Sequence, residues 1–226
     1  MNFEIACSNC GAISSPMVGV CPYCKSVMTK AADGTKQLSS VPMIQSLYDE
    51  GKLDQALALA SALVDNDPTS LKNAGFVLLY TQIQLEVEAP SSKTKSILNQ
   101  ALIVNPANPD LLEYLEIVEA DFHLSRSSGS EGEVALANII RRSPKNVHAL
   151  FLLGRHLFWE EDNPQGALRY LESCVRFRPN FLRAKGCLSA VYKALGMTDI
   201  AARLMTECSI KVTENRADFL SNSPRI

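Results

Sequence analysis

The chain has 226 residues, of which 46% are apolar and 20% are charged, and its formal net charge is −2. The apolar share is large enough to bury a core, which excludes general disorder. Because 22 basic residues nearly balance 24 acidic ones, the overall charge does not indicate a nucleic acid or an acidic membrane surface as partner.

From the first residues of the sequence we expect no export signal. Only Met1 to Ala6 precede the first cysteine, with neither a basic start nor an apolar stretch. The longest apolar runs, such as Phe76 to Tyr80, are far shorter than the roughly 18 residues of a spanning helix. We therefore expect a cytoplasmic protein without membrane insertion. In a reducing compartment the seven cysteines are expected to be metal ligands or core residues rather than disulfides.

Two CxxC pairs, separated by ten residues, lie near the start of the chain. Their cysteines are Cys7, Cys10, Cys21 and Cys24. Each pair can fold as a tight turn that directs two thiolates to one point, and two such turns form the tetrahedral sulfur set that zinc prefers. The alternatives are a redox dithiol or disulfide pairs, although redox CxxC motifs occur singly between a strand and a helix. Because four thiolates leave no open coordination position, we expect one structural Zn²⁺.

Residues 1–28 are too few to bury a core, so a bound metal would supply the stability of this segment. The stretch from Phe3 to Met28 resembles the short zinc-ribbon family found at the N-termini of many bacterial and archaeal proteins. That family usually has glycine after its last cysteine, where this chain has Lys25. Basic residues are few here, so the ribbon does not favour nucleic acid as a partner. The small polar residues 29–36 predict a linker.

Four prolines recur at regular intervals through the rest of the chain. Prolines 68, 106, 144 and 179 are spaced by 38, 38 and 35 residues, and each follows one apolar helical pattern and precedes another. Because proline cannot continue a helix, each one indicates the turn out of a helix pair. We therefore predict an all-α fold of about five pairs, followed by a tail over residues 216–226. The pairs cover residues 37–70, 71–108, 109–146, 147–181 and 182–215.

The fourth and fifth pairs carry a recognisable pattern of large and small residues. The fourth pair has Leu150-x2-Leu153-Gly154-x2-Leu157, then Ala167-x3-Leu171 and Pro179, and the fifth has Leu188, Tyr192, Gly196 and Ala201. This pattern resembles the tetratricopeptide repeat, with one extra residue in the turn between the helices. The resemblance implies a right-handed superhelix whose inner surface, built mainly from the first helix of each pair, holds a segment of a partner protein.

The same resemblance places a set of polar and aromatic residues on the inner surface of the last two pairs. They are His148, Phe151, Arg155, Phe158, Trp159, Arg183 and Lys193. The alternative for the two phenylalanines is packing between repeats. Trp159, the only tryptophan, lies beside arginine and phenylalanine, a composition typical of interface hot spots. We therefore predict that a peptide or helix of another protein binds here.

Charge is distributed unevenly along the repeats. Residues 109–140 carry seven acidic residues against one basic residue, and residues 141–216 carry thirteen basic against seven acidic. Such a gradient could orient a partner of opposite pattern, although many of these charges are expected on solvated outer faces. The sequence contains no phosphate-binding glycine loop and no HExxH or GxSxG motif, so it does not favour an enzyme. The sequence predicts a protein-interaction adaptor; the alternative is a zinc- or redox-responsive regulatory module whose ribbon contacts nucleic acid or another regulator.

Overall fold

The computed structural model of the protein describes residues 5–6, 13–14, 40–87, 91–125 and 129–208. From residue 40 onward these residues form ten α-helices in five consecutive pairs, which confirms the all-α prediction for this part of the chain. The helices are α1 (Ser40–Asp49), α2 (Leu53–Asn66), α3 (Ala74–Val87), α4 (Ser92–Val104), α5 (Pro109–Leu124), α6 (Gly129–Arg142), α7 (Val147–Trp159), α8 (Pro164–Phe177), α9 (Leu182–Ala194) and α10 (residues 198–208). A 3₁₀ turn, Pro68–Lys72, precedes α3.

Near the N-terminus, β1 (Ile5–Ala6) pairs antiparallel with β2 (Ile13–Ser14), with Ile5 opposite Ser14. The predicted zinc ligands Cys7, Cys10, Cys21 and Cys24 lie outside the described residues, as do the predicted linker 29–36 and the tail 216–226. Among the described helices, none combines the length and apolar character needed to cross a bilayer.

Polar side chains define where several helices begin. Asn108, Asn146 and Asn163 each accept a hydrogen bond from a main-chain N–H in the first turn of α5, α7 and α8. Ser91 and Thr94 form a reciprocal capping box at the start of α4. These contacts satisfy N–H groups that have no partner within the helix, so the turns between helices are specified locally.

Glycine allows the two helices of a pair to approach closely. A Cβ atom at Gly154 of α7 would lie 2.7 Å from Cγ of Leu171 on α8, a distance that no real side chain tolerates. Ala167 and Cys174, which share the buried face of α8 with Leu171, have no exposed area. The small-and-large pattern of the sequence therefore corresponds to direct contact between α7 and α8.

The array closes on itself. In an open helical-repeat array each repeat contacts only its neighbours. Here α3, from the second pair, contacts α7 of the fourth pair and α9 of the fifth. The side of α3 that would face an open groove therefore packs against later helices of the same chain.

Candidate functional site

A buried carboxylate lies at the centre of the closed face, by which we mean the side of α3 that packs against α7 and α9. Glu86, in the last turn of α3, has a fully buried side chain. Its Oε1 accepts hydrogen bonds from the Tyr48 hydroxyl at 2.5 Å and from Arg178 Nε at 2.8 Å, and it lies 3.5 Å from His148 Nε2. Residues from α1, α7 and the turn before α9 thus meet at one glutamate.

A chain of hydrogen bonds leads from Gln82 to His148, which lies beside this glutamate. Gln82 donates its amide to the Tyr114 hydroxyl at 2.9 Å, and that hydroxyl lies 3.0 Å from His148 Nδ1. The other ring nitrogen of His148, Nε2, lies 3.5 Å from Oε1 of Glu86.

Burial and the neighbouring side chains have opposite effects on the pKa of Glu86. Burial acts to raise its pKa, but the hydrogen bond and charge of His148, the charge of Arg178 and the Tyr48 hydrogen bond together hold the pKa below its usual range. Burial, and then the charge of Glu86, raise the pKa of Tyr48 far above that of a free phenol. The cluster therefore contains an ionised carboxylate and a neutral phenol at neutral pH.

The turn between α8 and α9 and the first two residues of α9, together residues 178–183, hold the array closed, and we call this segment the closing turn. Its side chains donate to main-chain carbonyls as follows: Arg178 Nη2 to Tyr48 at 2.9 Å, Asn180 Nδ2 to Asp49 at 3.2 Å, and Arg183 Nη1 to Leu85 at 3.1 Å. These carbonyls lie at the C-terminal ends of α1 and α3, neither of which has a basic residue in its own last turn. Basic groups near the negative ends of helices are stabilising.

Closure changes the position of two residues that the sequence assigns to the partner groove. His148 and Phe151 are 1% and 2% exposed, and the ring of Phe181 packs against both, with its centroid 4.7 Å from that of Phe151. The prediction that they line an accessible groove is therefore corrected, because the closing turn brings Phe181 over the inner face of α7. Both side chains belong to the interior.

The remaining predicted residues are more accessible. Trp159 is 63% exposed at the end of α7, and its ring packs edge-on against that of Phe158 at 4.6 Å. Arg155, one turn earlier, is 25% exposed and donates to the Asp121 carboxylate at 2.6 Å. Arg183 is half-buried, with its guanidinium 5.3 Å from the Phe151 ring centroid, and Lys193 is exposed in the last turn of α9.

One neighbour of this group was not predicted. Cys187 on α9 lies beside the Trp159 indole; burial raises the pKa of its thiol to about 11, although the Trp159 hydrogen bond and the charges of Arg155 and Arg183 oppose this rise. At neutral pH the thiol is therefore protonated and weakly reactive. We call Arg155, Phe158, Trp159 and Cys187 the Trp159 surface.

A cleft of about 540 Å³ opens beside α1, α3 and α5, the first helices of the first three pairs. It is lined by Tyr48, Gln82, Glu113 and Tyr114, and by residues 143–148 from the turn between α6 and α7 and the start of α7. The sequence did not predict this cleft, because it requires the α6–α7 turn to lie beside side chains of three separate pairs. Within the described ranges, no group of three His, Cys, Asp or Glu side chains is placed to hold a metal ion.

Comparison with known proteins identifies the fold. No protein-family model and no curated protein matches the sequence. The crystal structure of TTC0263, a thermophilic tetratricopeptide protein of Thermus thermophilus, is similar over 82% of this chain and 98% of its own, with a TM-score of 0.50 and 14% identity. MamA (TM-score 0.39, 14% identity, 86% of this chain and 99% of its own) and YrrB, a tetratricopeptide protein with an unusual peptide-binding site (0.37, 15%, 76% and 84%), are also similar. The described repeats have a tetratricopeptide-like fold.

Proposed function

We propose that this chain is a protein-interaction scaffold that binds a peptide or helix of a partner protein at the Trp159 surface. The observation that supports the proposal is the 63% exposed indole of Trp159 at the end of a buried, well-packed helix. Large aromatic side chains that are exposed in the free protein and become desolvated on binding contribute most of the energy of many interfaces.

The surroundings of Trp159 support binding because they are already ordered. Phe158 supports one edge of the indole, and the Asp121 carboxylate holds Arg155 in position. A partner that buries the indole therefore loses little side-chain entropy on the scaffold, and a few anchors can give useful affinity. We also propose that the five pairs follow the right-handed superhelix of tetratricopeptide arrays, with the inner face near Glu86 occupied by the chain's own side chains.

Replacing Trp159 by alanine should weaken partner binding by about thirtyfold, the loss typical of a hot-spot aromatic residue. The partner is first captured with the wild-type chain from the native cell and identified by mass spectrometry, and its affinity is then measured with purified proteins. Ile103→Ala is the matched control, because Ile103 is 81% exposed on α4, in a different pair. Equal affinity for the two variants would contradict the assignment of this surface.

We further propose that Cys7, Cys10, Cys21 and Cys24 bind one structural zinc ion. The pairing of Ile5–Ala6 with Ile13–Ser14 supports this proposal, because the two strands directly flank the residues that contain the first CxxC pair. Four thiolates at this spacing suit tetrahedral zinc and leave no position for a substrate. The ribbon would then act as a cap on the repeats or as a second contact surface.

The chain purified without chelators should contain about one zinc ion per molecule by elemental analysis. Cys21→Ser should lower this content strongly, because it removes one of four ligands. Cys187→Ser should not change it, since Cys187 lies on α9 within the repeats. A zinc content near zero in the wild-type chain would exclude the metal site.

A further inference from the structure

Glu113 differs in its partners from three other acidic residues of α5. Those three pair with basic side chains: Glu116 with Arg142, Glu119 with Lys95, and Asp121 with Arg155. Glu113 instead accepts hydrogen bonds from two neutral groups, the Ser143 hydroxyl at 2.5 Å and the Asn146 amide at 2.7 Å. Within the described part of the chain, these two neutral groups therefore hold the Glu113 carboxylate in position, and no basic side chain pairs with it.

This carboxylate lines the 540 Å³ cleft, together with two tyrosines that form part of its wall. Tyr48 and Tyr114 are 6% and 9% exposed, and the hydrogen bonds of their hydroxyl groups within the protein hold both rings in place. Each oxygen of Glu113 accepts one bond from the α6–α7 turn, and a carboxylate oxygen has room for a second. The cleft thus combines a fixed negative charge with preformed aromatic walls, and its size lies within the usual range for ligand sites.

The electrostatic surroundings favour a cation. Burial raises the pKa of Tyr114, and nearby carboxylates raise it further: those of Glu113, Glu86 and Asp110. The buried Glu86 is balanced by Arg178 on the inner side. Glu113 lines the cleft, Asp110 is near enough for its charge to act on Tyr114, and the exposed Lys145 at the edge of the cleft opposes these two charges.

We propose that the cleft binds the side chain of an arginine or lysine from the partner protein, with Glu113 as its counter-charge. The inference rests on the proposed scaffold function, because it assigns the cation to a protein partner. A guanidinium or ammonium group would reach the free lone pairs of Glu113, while its apolar stem would lie against Val147 and the tyrosine rings. The cleft is then a second recognition site, distinct from the Trp159 surface.

The test uses two small probes with the full chain: Nα-acetyl-arginine amide and its neutral isostere Nα-acetyl-citrulline amide. Binding is followed by amide NMR spectra of the isotopically labelled chain. We expect saturable shifts at Tyr114, Lys145 and Asn146 with the arginine probe, and about fivefold weaker binding of the citrulline probe, as expected for one half-buried charge pair.

Two variants change the charge of the cleft in opposite directions. Glu113→Gln should weaken the arginine probe about fivefold, and Lys145→Glu, at an exposed position, should strengthen it by a similar factor. Because Lys145→Glu keeps the Glu113 side chain, it tests the charge of the cleft even if Glu113→Gln disturbs the α6–α7 turn. Equal binding of the two probes, or an arginine affinity that neither variant changes, would overturn the inference.

The same variants separate this inference from the scaffold proposal. A partner affinity that falls with Trp159→Ala but not with Glu113→Gln overturns the cleft and leaves the Trp159 surface intact. Loss of affinity with Glu113→Gln alone supports the cleft and overturns the Trp159 surface. Binding of the arginine probe without effect of Glu113→Gln on any protein partner would assign the cleft to a small cation and overturn the inference for a partner side chain.

Discussion

Replacing Glu86 by glutamine is expected to lower the free energy of unfolding by about 3 kcal/mol, since breaking a buried ion pair leaves the other charge uncompensated. Arg178 would keep its positive charge with only 16% of its side chain exposed. The neutral amide would also provide a weaker acceptor for the Tyr48 hydroxyl, which now bonds to the carboxylate at 2.5 Å. Urea denaturation followed by circular dichroism measures the change.

Glu119→Gln is the matched control for this substitution. Glu119 pairs with Lys95 at 2.9 Å, but both side chains are more than two-fifths exposed. Exposed pairs contribute about 0–1 kcal/mol, so the control should be nearly neutral. The double variant Glu86→Gln/Arg178→Met should recover part of the loss, because it removes both buried charges together. If Glu86→Gln costs no more than Glu119→Gln, the buried pair does not hold the array closed.

The Glu86 contribution also depends on pH. Because the folded-state pKa of Glu86 is lowered, its contribution is present above the pKa of the unfolded chain and is lost as pH falls through the folded value. The wild-type chain should therefore lose more stability than Glu86→Gln when the pH is taken below about 4. Denaturation curves of the two chains at neutral and acid pH test this difference, and parallel losses would contradict it.

Replacing Phe181 by alanine should cost about 3–5 kcal/mol, the range for a large aromatic side chain removed from a core. Phe181 has no exposed area, and its ring contacts Phe151 and His148 at centroid distances of 4.7 and 5.9 Å. Its loss would leave a cavity where the closing turn meets the inner face of α7. Because Trp159 is the only tryptophan and lies on α7, its fluorescence reports unfolding of this region beside circular dichroism.

Phe177 provides the control for Phe181. It lies four residues earlier, at the end of α8, and is 39% exposed beside the guanidinium of Arg176. Phe177→Ala should cost less than about 1 kcal/mol, because most surface substitutions have small effects. Similar losses for the two alanine variants would show that Phe181 is not the central residue of the closed face.

The repeat architecture could be predicted from local signals. Prolines 68, 106, 144 and 179 lie at or near the turns between pairs, and Gly154 lies where α7 meets Leu171, because both depend on backbone chemistry and periodicity within one repeat. Trp159 is 63% exposed at the end of α7, and its role in partner binding stays a prediction. Such features need only near neighbours in sequence.

Closure could not be predicted in this way. Arg178 and Tyr48 are 130 positions apart, and no local pattern joins them. Glu86 appears in the sequence as one acidic residue near the end of an apolar helix, and its burial follows only when α7 and α9 fold back over α3. For this reason the sequence placed His148 and Phe151 in an open groove and did not indicate the cleft beside Glu113.

The closing turn also limits how this protein can vary in length. An open array can gain or lose a repeat at little cost, since each repeat depends only on its neighbours. Here the closing turn must reach the ends of α1 and α3. A helix pair added or deleted between α3 and α9 would therefore move Arg178 and Arg183 away from the carbonyls to which they donate. The contacts span about a hundred positions or more, which raises the contact order and predicts slower, more all-or-none folding than in an open array of equal length. The number of pairs between α3 and α9 is therefore a fixed property of this fold.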